Sequence, residues 1–408
     1  MTRLTKSVKD LIYYLLSGAA VRVFPLLFLP VIARMLNETD FGVFSLYRLY
    51  LVLGAALVLL GVEQGLFRLL PAAEGERKNA LLSAAVYFFL TAGLIATAIY
   101  LWGRDLFQPL LFEKTLPYPA FWLPALIVTG GLVSIVTTKF SAEKESRRFL
   151  QANLLRVTVF YLLFLAGLYL GYGLTAFFVA GIASDLLVVG MAAPILTASL
   201  RVRPDFADIR SLLSVGLPLM GVMLVMLLLY QSDHYLIKFF MGVEATGVYN
   251  YGYKFAAALS SFVLLTNNVW MPRLYEQGDD FLKKNLNDYS VLITTAAQGL
   301  YLLICGLFVL FAKQLIPQGF GLSFKVLAIA GAGYLFYGHS QLMDGWLILR
   351  HKSRVLLFAS LVALGVNLIL NVIYIPRYGL VAAAVTTTVT FILLWIMVLV
   401  YLMRSEKS

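Results

Sequence analysis

Apolar runs of roughly 20 residues, separated by short polar breaks, follow one another from end to end of this chain, and each is long enough to cross a hydrocarbon core of about 30 Å as a helix. Backbone groups in lipid must be satisfied within the segment, so the runs predict helices. The alternating ten-residue pattern of a membrane barrel is absent. About twelve helices are expected. Six centre near Phe24, Gly54, Phe89, Thr129, Phe160 and Val188, and six more near Val222, Ser260, Leu302, Gly333, Gly365 and Leu393. The reading is an all-α integral membrane protein.

Composition agrees with that pattern. Of the 408 residues, 61% are hydrophobic and 13% charged, and the mean hydropathy is +0.86. Too few charges are present to cover a water-facing surface. The basic residues fall in alternate connections: Arg3, Lys6 and Lys9; Arg77 and Lys78; Lys139 to Arg148; Arg201 to Arg210; Arg273 to Lys284; Arg350 to Arg354; and Arg404 with Lys407. The positive-inside rule then puts both termini in the cytoplasm. The net charge of +11 is mainly topology, spread over many short loops, and does not point to nucleic acid. The first helix is followed by further spans and has no small-residue cleavage site, so it does not read as a signal peptide. Cys305 stands alone, which excludes a disulfide framework or a cysteine-based metal site.

The chain repeats itself. Gly42-Val43-Phe44 returns as Gly247-Val248-Tyr249, and Tyr172-Gly173-Leu174 returns as Tyr378-Gly379-Leu380. Two unrelated motifs at nearly one offset argue for duplication, with an N-terminal six-helix lobe over 1–205 and a C-terminal one over 206–408. Six helices per copy is an even number, so both copies enter the membrane from one side. That is a parallel repeat about an axis along the membrane normal, with a central cavity between lobes.

Three cations lie inside the apolar runs: Arg22, Arg48 and Lys254. A charge at the centre of a spanning helix costs about 2.5–3.5 kcal/mol on insertion scales. Arg22 is one turn from Pro25, which removes a backbone donor and predicts an opening of helix one. Arg48 and Lys254 follow the repeat glycines at matching distances, one in each lobe. Each cation reads as a contact for an anionic solute; the bland alternatives are a carboxylate partner for Arg22 and snorkelling to the interface for the other two. Arg156 reads as interfacial. Pro25 and Pro218 are candidate hinges. The buried acids Glu63, Asp185, Asp233 and Asp344 are either coupling groups, carrying H+ or Na+, or counter-ions to a nearby arginine. Asp233 reads more as structural or gating. Asn267, Asn268, Asn367, Asn371, Gln341 and His339 could contact sugar hydroxyls, but bonding helix to helix is the expected use. Asn37-Glu38-Thr39 is a formal glycosylation sequon, but Thr39 or Asp40 reads better as the N-cap of helix two. No catalytic constellation, nucleotide loop or metal cluster stands out, so no enzyme activity, cofactor or metal is expected.

The stretch Leu213-Ser214-Val215-Gly216-Leu217-Pro218, continuing through Ser232-Asp233-His234, Gly247-Val248-Tyr249, Tyr253-Lys254 and Met271-Pro272-Arg273, resembles the polysaccharide-transporter branch of the multidrug/oligosaccharidyl-lipid/polysaccharide exporter superfamily. Ser17-Gly18, Pro25, Arg34, Gly42 and Leu70-Pro71 fit it too. The resemblance covers the whole chain and implies a Wzx-type flippase. Such a protein moves undecaprenyl-pyrophosphate-linked sugar units between leaflets of the bacterial cytoplasmic membrane by alternating access. It further implies a cationic cluster on helices one, two and eight, where Arg22, Arg48 and Lys254 fall. Lys254 stands where the resemblance implies an arginine, and a lysine lacks the bidentate fork. Implied partners are the lipid-linked sugar, membrane lipids and other polysaccharide-assembly membrane proteins, with a monomer as the working unit. Two alternatives remain: a cation-coupled drug exporter of the same superfamily, and a membrane ligase or polymerase using the same lipid carrier. Cations in the cavity argue against the first, and the lack of a large outer loop against the second.

Overall fold

A computed structural model describes residues 2–112, 118–349 and 352–405; within that range the side chains of 264–290 and 344–346, among others, lie outside the described set. Among the described residues there is helix and no strand. The helices are α1 (Thr2–Met35), α2 (Glu38–Leu59), α3 (Val62–Leu69), α4 (Glu76–Trp102), α5 (Arg104–Phe112), α6 (Trp122–Ala142), α7 (Ser146–Tyr169), α8 (Leu174–Met191), α9 (Ala193–Leu200), α10 (Phe206–Leu310), α11 (Ala312–Leu315), α12 (Ser323–Leu349) and α13 (Ser353–Ser405).

Among the described residues nine stretches are long and apolar enough to span a membrane. Two of them are double. A straight helix the length of α10 would run about 160 Å at 1.5 Å per residue, several bilayers deep. Instead the chain reverses at Gly242, where φ is +93°. Past that turn Tyr249 reaches back to Asp233, and the Tyr253 hydroxyl donates to the Tyr230 carbonyl at 3.2 Å. α13 reverses at Gly379 (φ 66°, ψ −147°), and Asn367 reaches Thr390 across the hairpin at 3.3 Å. Dividing these two and adding α12, itself 27 residues, gives the twelve spans read from the sequence.

The backbone repeats as well as the sequence. Gly173, in the first copy of the Tyr-Gly-Leu motif, has φ 52° and ψ −138°. Gly379, in the second copy, has nearly the same angles. A residue with a Cβ rarely adopts this conformation, so both copies need glycine there for one physical reason. The other pair of repeat glycines is in contact: a Cβ on Gly247 would lie 2.8 Å from the Gly42 nitrogen.

Packing divides the chain into two compact units, Met1–Phe28 with Phe44–Leu224, and Leu29–Val43 with Val225–Ser408. The first unit is cored by Leu66, Leu81, Ala84, Phe89, Ile135 and Phe140. Water does not drive helices together in lipid, so close fit must do it. Gly131 lets Phe89 approach α6, and Trp122 stacks on Phe178 with centroids 5.3 Å apart. In the second unit Phe41, Tyr251 and Phe320 form an aromatic knot, and Arg34 donates to the Lys313 carbonyl at 2.9 Å and to that of Gln314. Outward faces carry Leu94, Leu162, Leu302 and Phe358, each about two-thirds exposed or more, as lipid-facing surface demands.

Three local expectations change. Helix two is not continuous: it breaks at Leu60 (φ 46°) and Gly61 (φ 81°), which puts Glu63 on the separate short helix α3. The break is held by close backbone approach, for Gly61 packs against Gly216 and Gly65 against Leu212 with no room for a Cβ. Helix one, by contrast, does not open at Pro25; α1 runs on through Pro25 and Pro30. Membrane helices tolerate proline where neighbouring groups satisfy the freed carbonyl. α10 likewise continues through Pro218. The N-cap of α2 is Asn37, whose Oδ1 accepts from the Asp40 amide at 2.7 Å, and not Thr39 or Asp40.

Candidate functional site

Each of the three intramembrane cations has a different setting. Arg22, in α1, is half-buried and has no hydrogen-bond or ion-pair partner among the described residues. The carboxylate that would have explained it structurally is therefore absent from the described set. Arg48, in α2, has its guanidinium 5.8 Å over the Phe44 ring and is a hydrogen-bond partner of the Tyr161 hydroxyl. Tyr161 is buried, and its ring stacks on Phe28 with centroids 5.0 Å apart. One tyrosine of α7 thus ties Arg48 to α1, the helix that carries Arg22. Both arginines belong to the first packing unit, and Lys254, in α10, to the second. Lys254 is half-buried beside Tyr253, whose hydroxyl accepts from Tyr334 at 2.9 Å.

The acids separate into two kinds. Asp185, in α8, is 2% exposed and pairs with Arg156 of α7, Nε to Oδ1 at 2.6 Å. Thr129 of α6 donates to its other oxygen at 3.0 Å. Gly130 of α6 packs against the pair, and a Cβ there would be in ordinary contact, 3.4 Å from Arg156 Nη2 and 3.5 Å from Asp185 Oδ2. Arg156 is therefore held by a carboxylate inside the membrane, not drawn to the interface as its position in the helix suggested. A buried carboxylate beside a guanidinium costs less than an isolated one, and the pair explains Asp185 as a counter-ion.

Glu63 and Asp233 have no lysine or arginine partner among the described residues. Glu63 accepts from Ser134 and from Gln64, the latter at 2.8 Å. Asp233 is 2% exposed and accepts from the His234 amide at 2.8 Å, from Tyr249 at 2.5 Å and from Thr387 at 3.4 Å. Its Oδ1 also lies 2.7 Å from His234 Nδ1. Beside it Ser232 donates to Asn367, Asn371 donates to Asn367 at 2.9 Å, and Thr386 donates to Asn371. This neutral network binds the two halves of α13 to the first part of α10, the helix-to-helix use expected of Asn367 and Asn371. Gln341 likewise donates to Tyr337 at 2.9 Å, and His339 meets Thr294. The side chain of Asp344 lies outside the described residues.

Between α6 and α7 Lys139 bridges Glu143 at 2.6 Å and Glu145 at 3.1 Å, and Lys78 reaches Glu143 at 3.2 Å. Burial raises the Glu143 carboxyl, but Lys139 and Lys78 outweigh it and hold the group below its ordinary range. Among the described residues no cluster of three or more His, Cys, Asp or Glu side chains could hold a metal ion.

Sequence reading missed Tyr161, Thr129 and the break at Gly61. Tyr161 and Thr129 look like any polar residue in an apolar run, and only the packing of α7 shows what they hold. Gly61 left a signal, a glycine just ahead of the polar pair Glu63-Gln64.

The fold has known relatives. The chain superimposes on the lipid II flippase MurJ in an inward closed conformation with a TM-score of 0.73 and 15% identity, covering 97% of this chain and 87% of that one. A MATE transporter of Vibrio cholerae, VcmN, gives 0.66 and 15% over 100% and 99%. A transporter of the MOP superfamily from Pyrococcus furiosus, described by the reverse polarity of its binding pocket, gives 0.63 and 14% over 97% and 95%. At such identities these likenesses show the fold, the twelve-helix, two-lobe architecture of those transporters. An uncharacterized membrane protein of Methanocaldococcus jannaschii is 24% identical over 180 residues, 43% of this chain, and the match spans only 41% of that relative's length. A family described as "polysaccharide biosynthesis protein" matches residues 7–277, and this multi-pass membrane protein, with its transporter fold, belongs to that family.

Proposed function

We propose that this protein is a flippase for an anionic lipid-linked oligosaccharide, carrying an undecaprenyl-pyrophosphate-linked sugar unit from the inner to the outer leaflet of a bacterial cytoplasmic membrane. The observation that carries this reading is Arg22: a half-buried cation in a membrane span with no partner among the described residues. An unpaired charge in that position costs about 2.5–3.5 kcal/mol and persists where an anion or water meets it. A pyrophosphate satisfies it with charge-assisted hydrogen bonds. Arg48, which Tyr161 ties to α1, supplies a second cation, and Lys254 is the corresponding cation of the second sequence half. Family membership supports a role in polysaccharide assembly, and the likeness to a lipid II flippase supports a lipid-linked cargo.

In this reading the lobes 1–205 and 206–408 alternate in access while the lipid tail stays in the bilayer. Both termini are cytoplasmic, and Pro25, Pro218 and the Leu60-Gly61 break are the points that flex. The driving ion is H+ or Na+. Asp185 is committed to Arg156, which leaves Glu63 and Asp233 as the described coupling candidates. The protein works as a monomer among membrane lipids and other polysaccharide-assembly proteins, without cofactor or nucleic acid, and is not an enzyme.

Arg22→Ala is expected to abolish complementation of a flippase-deficient strain while leaving the protein at wild-type abundance in the membrane. Normal surface polysaccharide from that variant would remove the assignment. A drug exporter with this fold is the second reading, favoured by the MATE likeness; it predicts altered drug susceptibility in a deletion strain.

A further inference from the structure

The α1–α7 seam holds a second arginine beside Arg22. Three contacts fix how these helices lie. Ser146 donates to Asp10 at 2.5 Å, Tyr14 meets Phe149 with centroids 5.3 Å apart, and Phe28 stacks on Tyr161. The partners advance together along both helices, so α1 and α7 run parallel in one register. In that register Arg22, midway between Tyr14 and Phe28, comes level with Arg156. Depth agrees: each is ten residues, about 15 Å at 1.5 Å per residue, beyond the start of its span at Ile12 or Ser146. At 3.6 residues per turn, each arginine sits about a quarter turn from its helix's contact line, and the two turn to the same flank of the seam.

Two cations at one level in the membrane repel each other, and one acid beside them does not balance both. Asp185 takes Arg156 through Nε, 2.6 Å away, and leaves the paired Nη edge unclaimed by any other described acid. Thr129 holds the other carboxylate oxygen, and Gly130 packs beside Nη2, where a Cβ would lie at ordinary contact distance. The Arg156 side chain is 39% exposed although its partner is buried. The arrangement is that of an arginine oriented by a carboxylate so that its fork meets a ligand.

We propose that Arg156, positioned by Asp185 and Thr129, joins Arg22 in a site for a diphosphate group on the flank of the α1–α7 seam. This rests on the flippase reading and adds to it a binding residue and the pair that orients it. The shared ligand chemistry is a diphosphate, carried on an isoprenoid lipid or free.

The test uses the full chain in lipid nanodiscs, with farnesyl diphosphate and inorganic pyrophosphate as probes. Replacing the pair together, Arg156→Leu with Asp185→Leu, leaves no unpaired buried charge and should keep the thermal midpoint near that of the wild type. The proposal expects this variant to bind farnesyl diphosphate at least about tenfold more weakly. Arg22→Ala should weaken it similarly, and Arg156→Lys, which keeps the charge and loses the fork, by a smaller factor. Competition by pyrophosphate at similar concentrations would place recognition in the diphosphate alone, and its failure would make the isoprenoid chain part of the ligand; the site stands in both cases. Wild-type affinity in either the double variant or Arg156→Lys, with Arg22→Ala still weakened, overturns the role of Arg156 and leaves the flippase reading intact. No binding of either probe by the wild type overturns both.

Discussion

The two copies of the repeat bury their polar groups in opposite ways. In the first, α6, α7 and α8 meet around a charged pair, Arg156 with Asp185, and Arg22 and Arg48 stand nearby on α1 and α2. At the offset of the Tyr172 and Tyr378 motifs, the second copy has Val362 in place of Arg156, Phe391 in place of Asp185 and Leu228 in place of Arg22. Its buried polar groups lie elsewhere and are nearly all neutral: the Asn367–Asn371–Thr386–Thr390 ladder and the tyrosines around Asp233. The cation that both copies keep is Arg48 in one and Lys254 in the other. A duplicated backbone has thus been given charge on one side and hydrogen bonds on the other. Packing alone needs no such asymmetry, since the Phe391 environment shows that the frame closes well around an apolar residue. The charges in the first copy therefore answer to something other than stability.

The comparison can be broken deliberately. The largest effect should come from Asp185→Ala, which leaves Arg156 unpaired; removing one member of a buried pair costs about 3–5 kcal/mol, and the partial exposure of Arg156 puts this case at the low end. Thermal unfolding in detergent should show a large drop in midpoint that the paired replacement of both residues removes. Next come the neutral bonds of the second copy. Asn371→Leu removes the bonds to Asn367 and from Thr386, although Thr386 keeps the Ala383 carbonyl, and at about 0.5–1.5 kcal/mol per bond should cost about 1–3 kcal/mol. Unlike the loss of Asp185, this penalty should not depend on the charge state of any partner. Smaller again, Gly173→Ala and Gly379→Ala each force a Cβ into a positive-φ turn and should cost about 1–2 kcal/mol. Equal penalties would confirm that the two turns do one job, and a large difference would show that the copies have diverged in backbone as well as in charge.

The smallest effect is a pH dependence. The Glu143 carboxyl lies below its ordinary value of 4.5 in the folded chain because Lys139 and Lys78 outweigh burial. A depressed folded value stabilises above the unfolded value and is lost as pH falls through the folded one. Stability should hold from neutral pH down to about 4.5 and decline below it, where Glu143→Gln should decline less steeply than the wild type.

Much of this was legible in the sequence because lipid restricts what a chain can do. The twelve spans follow from length and hydropathy alone, and the reversals at Gly173 and Gly379 were visible as a repeated motif. What the sequence hid depends on neighbours. Arg156 lies two turns or more from a helix end, where a long side chain can reach the interface, and only the approach of α8 shows Asp185 waiting for it. Helix two breaks at Leu60-Gly61 because Gly216 packs into the gap, a partner about 155 residues away that no local pattern announces. The proline at 25 carried the opposite lesson. Local chemistry predicted an opening in helix one, yet α1 continues through it.

The account turns on whether Arg22 meets an anion inside the membrane. The most direct measurement is translocation of a fluorescent undecaprenyl-diphosphate-linked sugar in proteoliposomes, comparing wild type, Arg22→Gln and Arg22→Lys at equal protein content. The account predicts that Arg22→Gln is inactive and that Arg22→Lys keeps part of the rate, because charge survives while the fork is lost. Translocation by Arg22→Gln at the wild-type rate would contradict it.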